Sequence, residues 1–449
     1  MRKRILTFAL AVASMTALGQ TLEECQQAAE RNYPLIKQYD LITKTTTLTV
    51  TNIQKGWLPQ VSASAQATYQ SDVVSWPEQM GTMMQNMGID MKGLTKDQYR
   101  VGIDVSQTIY DGGAMSSQKQ IARQQGKVQE AQTEVSLYHV RKRVNEMYFA
   151  LLMLNEQIVL NNDLQELLAG NERKLQAMVK SGTAAESDWK SMRAERLNVM
   201  QQATSLESQK RMLTAMLSTF CGIEVKELHK PAMPEVSGAN NRPELHLFDA
   251  QLRLADVQEA ALNSALMPRL SVFAQGYYGY PGLNMFEDMM SHDWSLNGII
   301  GARLTWNIGA LYTRKNDKAK LQLQRDLTES NRDVFFFNNQ LEQIRQNEEI
   351  ACYRQLMADD EEIISLRSAV RKASESKLSH GIIDVNDLVR EINQENVARV
   401  QQLIHEIEML KQIYDNQFTT GNLTTNPIPA DAPTHSLSPR GEESGYSYN

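Results

Sequence analysis

Residues 61–70 read VSASAQATYQ, so apolar and polar side chains alternate along the whole stretch. Alternation with a period of two predicts a β-strand that has one apolar face. Three other segments show the same pattern: Tyr99 to Ile109, residues 270–278 and residues 296–308. Each is close to the roughly 9 to 11 residues that a tilted membrane-spanning strand needs. The chain is therefore predicted to contain two β-hairpins that are long enough to cross an outer membrane.

Four strands are too few to close a barrel in lipid, where an open edge leaves backbone groups without hydrogen bonds and at least about eight strands are needed. If these strands span a membrane, several chains must share one barrel. The alternative is a four-stranded sheet that packs against helices in a soluble protein.

Most of the remaining sequence has the apolar spacing of packed helices. Val140, Val144, Met147, Leu151, Leu154 and Ile158 follow one another at steps of four and three, and so do Val400, Leu403, Ile407, Leu410 and Tyr414. Steps of this kind form the seam of a coiled coil. No proline occurs between Gly113 and Ser181, so at about 1.5 Å per residue this stretch predicts a helix about 100 Å long.

The chain also repeats itself once. Gly182 is followed six residues later by Asp188, and Gly381 is followed six residues later by Asp387. The two glycines are 199 residues apart (182 and 381), as are the strand positions Val105 and Leu304 (105 and 304). Glycine suits the end of a helix and an acidic residue suits the start of the next one. These matches predict a tandem duplication of a strand pair and a helical hairpin.

The N-terminus has the features of an export signal. Arg2, Lys3 and Arg4 precede an apolar run that is too short to span a membrane, and Ala17-Leu18-Gly19 offers a cleavage site. The formal net charge of −7 becomes about −10 once those cations are removed, which argues against nucleic acid as a partner. The later chain has no apolar run of transmembrane length.

The residues predict no catalytic site, no metal site and no cofactor. The chain lacks a phosphate-binding glycine loop, a nucleophile elbow and closely spaced histidines. Its three cysteines, Cys25, Cys221 and Cys352, are far apart in sequence, which predicts neither a disulfide framework nor a zinc site. Lipidation of Cys25 is disfavoured because no small residue precedes it.

Several short motifs, in this order and duplicated, resemble the TolC family of outer-membrane efflux proteins over nearly the whole mature chain. They are Asn32-Tyr33-Pro34, Trp57-Leu58-Pro59-Gln60, Tyr110-Asp111-Gly112-Gly113, Met267-Pro268-Arg269-Leu270 and the two glycine-to-aspartate turns. The resemblance implies an α+β membrane protein: a homotrimer with a 12-stranded β-barrel, four strands per subunit, continued by a long periplasmic α-helical coiled-coil barrel.

The expected organisation combines this resemblance with the patterns above. The first repeat follows a signal peptide (1–19) and consists of first helices (20–56), strands 1–2 with an external loop (57–112) and a helical hairpin that turns near 182 (113–221). A linker (222–242) leads to the second repeat. That repeat consists of a helix (243–266), strands 3–4 with an external loop (267–309) and a hairpin that turns near 381 (310–418), and a disordered tail (419–449) follows it.

The resemblance also assigns roles to the two turns. The residues expected to dock a periplasmic adaptor at the tip are Gly182, Thr183, Ala184, Gly381, Ile382 and Ile383, and those expected at the pore constriction are Asp188, Asp384 and Asp387. Three copies of such carboxylates around a narrow pore would favour cations. The alternative is that these aspartates only complement helix N-termini. Leu378 and Ile383 stand where better-studied members carry a tyrosine and an arginine that lock the tip, so a lock of that kind is not implied.

The predicted function is a passive exit duct in the outer membrane, with its helical part in the periplasm of a Gram-negative bacterium. Its expected partners are two further copies of the chain, outer-membrane lipid, a periplasmic adaptor (membrane fusion) protein and an inner-membrane efflux or ABC transporter. Two alternatives remain: an exported trimeric coiled-coil structural or adhesive protein without a channel, and a soluble periplasmic enzyme.

Overall fold

The computed structural model describes residues 20–88, 93–234 and 241–421. The predicted signal peptide, and the predicted tail from residue 422 onward, lie outside these ranges. The helices are α1 (Leu22–Asn32), α2 (Ile36–Gln54), α3 (Glu78–Asn86), α4 (Ala114–Lys180), α5 (Glu186–Cys221), α6 (Pro243–Ser264), α7 (Met285–Ser291), α8 (Ala310–Ser379) and α9 (Val385–Thr420), and the strands are β1 (Gln60–Tyr69), β2 (Asp97–Tyr110), β3 (Arg269–Tyr280) and β4 (Ser295–Thr305).

Two very long helices dominate the structure. The helix α4 has 67 residues and α8 has 70, which correspond to lengths of about 100 Å at the usual rise. Each turns back into a helix of 36 residues, α5 or α9. No helix within the described ranges combines the length and the apolar character needed to cross a membrane.

The four strands form one antiparallel sheet in the order β1-β2-β3-β4. The sheet has β1 and β4 as its edges, and the helices of both repeats leave from one end of it. At the other end, the segments that join paired strands contain the short helices α3 and α7.

The main core lies where the short helix α1 packs against α4, α5 and α9. Val140, Val144 and Leu151 of α4 pack there with Leu403 and Ile407 of α9, as the predicted seams require. Gly126 lies within the first part of α4, where a Cβ atom would stand 2.5 Å from the Thr46 hydroxyl of α2. This glycine therefore permits the two helices to approach closely.

Some predicted boundaries were wrong. The fourth strand ends at Thr305, so Trp306 and Ile308 lie beyond the sheet. The helix α9 continues through Thr420, whereas the disordered tail was predicted to begin at residue 419. The backbone carbonyl of Leu266 accepts a hydrogen bond from the Trp306 indole at 2.9 Å, which places this side chain at the helical end of the sheet.

Candidate functional site

The pairing register assigns all the alternating apolar residues to the same face of the sheet. Ala65 of β1 lies beside Val101 of β2, which lies beside Tyr278 of β3, which in turn lies beside Leu296 of β4. The same holds along the row from Ala63 through residues 103 and 276 to Gly298. Because side chains alternate between faces, every strand contributes its apolar set to one side.

This apolar face is exposed in the isolated chain. Leu296 and Ile300 of β4 keep 83% and 86% of their side-chain surface accessible. A soluble sheet protein covers such a face with its own helices. In the described parts of the chain no element does so, and the soluble-sheet alternative therefore does not account for the structure.

The opposite face of the sheet is polar. The Gln275 side chain donates a hydrogen bond to Asp104 at 2.6 Å, and the Arg100 guanidinium lies over the Tyr277 ring at 3.9 Å from its centre. A sheet that is apolar and exposed on one side and polar on the other has the character of a wall between lipid and water.

Aromatic side chains stand at both ends of the sheet. The Trp294 ring lies 6.0 Å from Tyr99 and 5.4 Å from Tyr278 near the connecting segments. Trp57 and Trp306 lie at the helical end. Tyr280 is buried instead and accepts a hydrogen bond from the Thr95 backbone, so it packs inside the end of the sheet and does not face outward.

The two helical hairpins end in turns with the same geometry. Gly182 and Gly381 have φ angles of +75° and +69°, in the left-handed region that favours glycine. The backbone N–H of Thr183 donates to the Met178 carbonyl at 2.9 Å, and that of Ile382 donates to the Lys377 carbonyl at the same distance. This six-residue hydrogen-bond pattern ends a helix at a glycine.

The predicted docking residues are partly presented at these turns. Gly182, Thr183, Gly381 and Ile382 are exposed, and Ile382 is the most conspicuous because 69% of this large apolar side chain is accessible. Ala184 and Ile383 are half-buried, and Ala184 packs against the buried cluster near the turns, which includes Leu175, Met192 and Leu388. Leu378 packs against the same cluster.

The predicted constriction residues differ in their surroundings. Asp384 is the N-cap of α9 and accepts a hydrogen bond from the Asp387 backbone at 2.9 Å. The Asp387 carboxylate lies 3.2 Å from the Arg390 guanidinium. Asp188 lies at the same position of α5, but residue 191 there is a serine and offers no cation. Within the described chain, no side-chain hydrogen bond or ion pair of Asp188 occurs.

Ion pairs that were not predicted from the sequence link the helices near the turns. Glu172 of α4 and Arg196 of α5 approach within 2.6 Å, while Arg371 of α8 pairs with Glu395 of α9. At the offset of 199 residues, Glu172 corresponds to Arg371 and Arg196 corresponds to Glu395. The two ion pairs therefore occupy equivalent positions, with the acidic and the basic residue exchanged. Each links the two helices of one hairpin.

The second pair is the more buried. Burial by itself would raise the pKa of the Glu395 carboxyl, but hydrogen bonds from Arg399 and Arg371 outweigh burial and lower the pKa. Arg371 also lies 2.8 Å from Glu375, which accepts a hydrogen bond from Asn171 of the other hairpin at 3.3 Å. The sequence feature that could have indicated these ion pairs is the presence of opposite charges four residues apart, at Arg371 and Glu375 and again at Glu395 and Arg399.

The exposed apolar sheet face, the polar opposite face and the long helical hairpins define the class of protein as a subunit of a membrane channel. A family model described as outer membrane efflux protein matches residues 25–220. The matched stretch covers 196 of the 449 residues, so this part of the chain, together with the fold, is similar to that family, to which the resemblance to TolC pointed.

Solved outer-membrane channels share the fold. The channel CmeC of Campylobacter jejuni is 14% identical over 89% of this chain and 85% of that chain, with a TM-score of 0.64. The Vibrio cholerae protein VceC is 10% identical over 89% and 96%, with a TM-score of 0.64. The open state of Neisseria gonorrhoeae MtrE is 13% identical over 89% and 88%, with a TM-score of 0.61. No curated protein matches the chain in sequence.

Proposed function

We propose that this protein is the outer-membrane exit duct of a tripartite efflux pump or type I secretion system, in which it passively conducts substrates delivered by an inner-membrane transporter through a periplasmic adaptor. The observation that carries the proposal is a sheet with one exposed apolar face and one polar face, whose strands lead into helices about 100 Å long.

The proposal includes a homotrimer. Four strands with two open edges cannot be stable in lipid, and β1 of one copy pairing with β4 of the next would remove both edges. Three copies would give a closed 12-stranded barrel with its apolar face toward lipid. The adhesive coiled-coil alternative needs no exposed apolar sheet face and is therefore disfavoured.

In this proposal the helical hairpins reach into the periplasm and their turns face the adaptor. Thr183 and Ile382 contribute exposed contact surface, and Asp188 and Asp387 lie near the narrowest point. Because Asp387 is paired with Arg390 while Asp188 has no cation beside it, Asp188 contributes more to the selectivity for cations.

The test is the conductance of the detergent-purified protein in a planar bilayer, for the wild type and the variants Asp188→Asn and Asp387→Asn. We expect discrete, cation-preferring conductance, with the preference reduced more by Asp188→Asn than by Asp387→Asn. A soluble, monomeric preparation without conductance would contradict the channel. Conductance with unchanged selectivity in both variants would leave the channel intact and remove the aspartates from the constriction.

A further inference from the structure

Two cysteines that are 196 positions apart in sequence meet in the main core. Cys25 lies in α1 and Cys221 is the last residue of α5, and both are buried, with 0% and 2% of their surface accessible. The Cys221 thiol donates a hydrogen bond to the backbone carbonyl of Cys25 at 3.4 Å, and both side chains belong to the same buried cluster. The prediction from sequence spacing, that the cysteines form no disulfide framework, did not anticipate this contact.

We propose that Cys25 and Cys221 form a disulfide bond in the mature, exported protein. The proposal rests on the proposed function insofar as that function places the chain in an oxidising compartment, where neighbouring thiols become disulfides. A disulfide requires two neighbouring cysteines with Cα atoms within about 7 Å, and the Cys221 sulfur already contacts the backbone of Cys25.

The surroundings of the pair indicate what the bond would hold together. The Asn32 side chain at the end of α1 donates to the carbonyls of Thr219 and Phe220 at 3.1 and 3.2 Å. The backbone N–H of Gln20 donates to Glu227 at 2.8 Å. These contacts join the start of the described chain to the end of α5, and a disulfide there would close the first repeat covalently.

The bond forms by thiol–disulfide exchange. One cysteine thiolate attacks the disulfide of a periplasmic thiol–disulfide oxidoreductase, and the thiolate of the other cysteine then displaces that enzyme from the mixed disulfide. The two S–H bonds of the cysteines and the S–S bond of the enzyme are broken, while the new S–S bond and the two S–H bonds of the enzyme's dithiol are formed, so two electrons and two protons pass to the oxidoreductase and no proton is released overall.

Oxidation precedes completion of the core. In the folded chain, burial in the main core disfavours the charged thiolate that the exchange requires. Both sulfurs are also shielded from an enzyme. After folding, the same burial protects the bond from reductants until the protein is denatured.

Cys352 provides an internal control because it is exposed on α8 and pairs with neither of the other cysteines. The full chain is expressed with its own leader, the outer-membrane fraction is quenched in acid and denatured, and free thiols are labelled with a maleimide mass tag. We expect one tag without reductant and three with it. In peptide mass spectra, the tryptic peptide 212–226 should be linked to the peptide that ends at Arg31.

Two cysteine variants identify which thiols are free. Cys352→Ser should give no tag without reductant and two with it, whereas Cys25→Ser should give two tags under both conditions. Three tags on wild-type chain recovered from the outer membrane would overturn the disulfide and leave the proposed function standing. A chain that is absent from the outer membrane would instead count against the proposed function.

The disulfide is then decided in vitro. Reduced, denatured full chain is refolded into detergent with oxidised glutathione, and the tags are counted again. A linked Cys25–Cys221 peptide in the folded fraction supports the bond independently of the compartment. Free thiols at both positions in that fraction overturn it.

Discussion

The Asp384 carboxylate accepts a hydrogen bond from the Asp387 backbone N–H and so satisfies one of the free donors in the first turn of α9. The equivalent residue before α5 is Ala185, which makes no side-chain cap. The structure therefore gives Asp384 a local role in the helix, besides the role at a pore constriction that was predicted for it. The two roles need different properties of the carboxylate, since capping needs an acceptor oxygen and a pore ring needs charge.

Substitutions at Asp384 separate the two roles. Asp384→Asn keeps an acceptor but removes the charge, whereas Asp384→Ala removes both and should cost about 1 kcal/mol of local stability. We expect faster hydrogen exchange of the amides at the start of α9 in the alanine variant alone. Ala185→Asp should slow exchange at the start of α5.

The outcome for conductance distinguishes the roles further. If the asparagine variant changes ion selectivity while exchange stays as in the wild type, the charge of Asp384 acts in the pore. If exchange is equally fast in both variants, the hydrogen bond to Asp387 does not stabilise α9.

At the scale of elements, the ion pairs above the turns hold each helical hairpin together. Glu395 is buried between Arg371 and Arg399, and its lowered pKa means that the folded state prefers the carboxylate. This stabilisation is complete above the ordinary carboxyl pKa of 4.5 and is lost as the pH falls through the lowered value.

We expect Glu395→Gln to destabilise the α8–α9 hairpin by roughly 2 kcal/mol at neutral pH, because the buried Arg371 loses its charged hydrogen-bond partner Glu395 and keeps only Glu375. The difference from the wild type should shrink in acid. Limited proteolysis near the second turn, measured between pH 3 and 7, reports the change. The exposed pair Glu186–Lys190, at 3.0 Å, offers the control Glu186→Gln, which should have almost no effect. Equal sensitivity of the two variants would refute the argument from burial.

The two faces of the sheet permit a matched test within one strand. Ser64 and Ala65 are neighbours on β1, both are exposed in the single chain, and they point to opposite faces. Arginine on a lipid-facing position near the middle of a bilayer costs about 2–4 kcal/mol. Ala65→Arg should therefore reduce the yield of heat-modifiable oligomer in the outer membrane, whereas Ser64→Arg should leave it close to the wild type. If Ser64→Arg reduced the yield more than Ala65→Arg, the face that carries Ser64 would be the one that contacts lipid.

At the scale of the whole molecule, the sequence predicted the features that depend on local periodicity. The apolar face follows from alternation around Ala65, the seam from the spacing of Leu403 and Ile407, and the turns from the glycines. These patterns are set by neighbouring residues and can be read without knowing what packs against them.

Features that depend on the register between distant segments could not be read in this way. Arg371 and Glu395 are 24 positions apart and meet only because the turn fixes how the two helices align. Cys25 and Cys221 meet through the packing of α1 on α5. Even the assignment of Asp384 required the turn geometry, since the same aspartate suits a pore and a cap.

A second apolar surface that a single chain leaves uncovered supports the proposed assembly of several copies. Large apolar side chains remain exposed along α8 at heptad-like steps, among them Val334, Phe337, Leu341 and Ile344. Steps of three and four place them on one stripe of the helix. An exposed stripe of this length is unfavourable in water, and a second copy of the chain would cover it.

The stripe therefore predicts which substitutions break the proposed trimer. Leu341 is 51% exposed, and Leu341→Glu would place a charge within the buried contact between copies. Gln340→Glu adds the same charge at the neighbouring exposed position, about 100° around the helix. We expect only Leu341→Glu to shift the detergent-solubilised protein from trimer to monomer, measured by light scattering with size-exclusion chromatography. If both variants remain trimeric, the stripe on α8 does not lie between subunits, and the contacts at the sheet edges alone would have to hold the assembly.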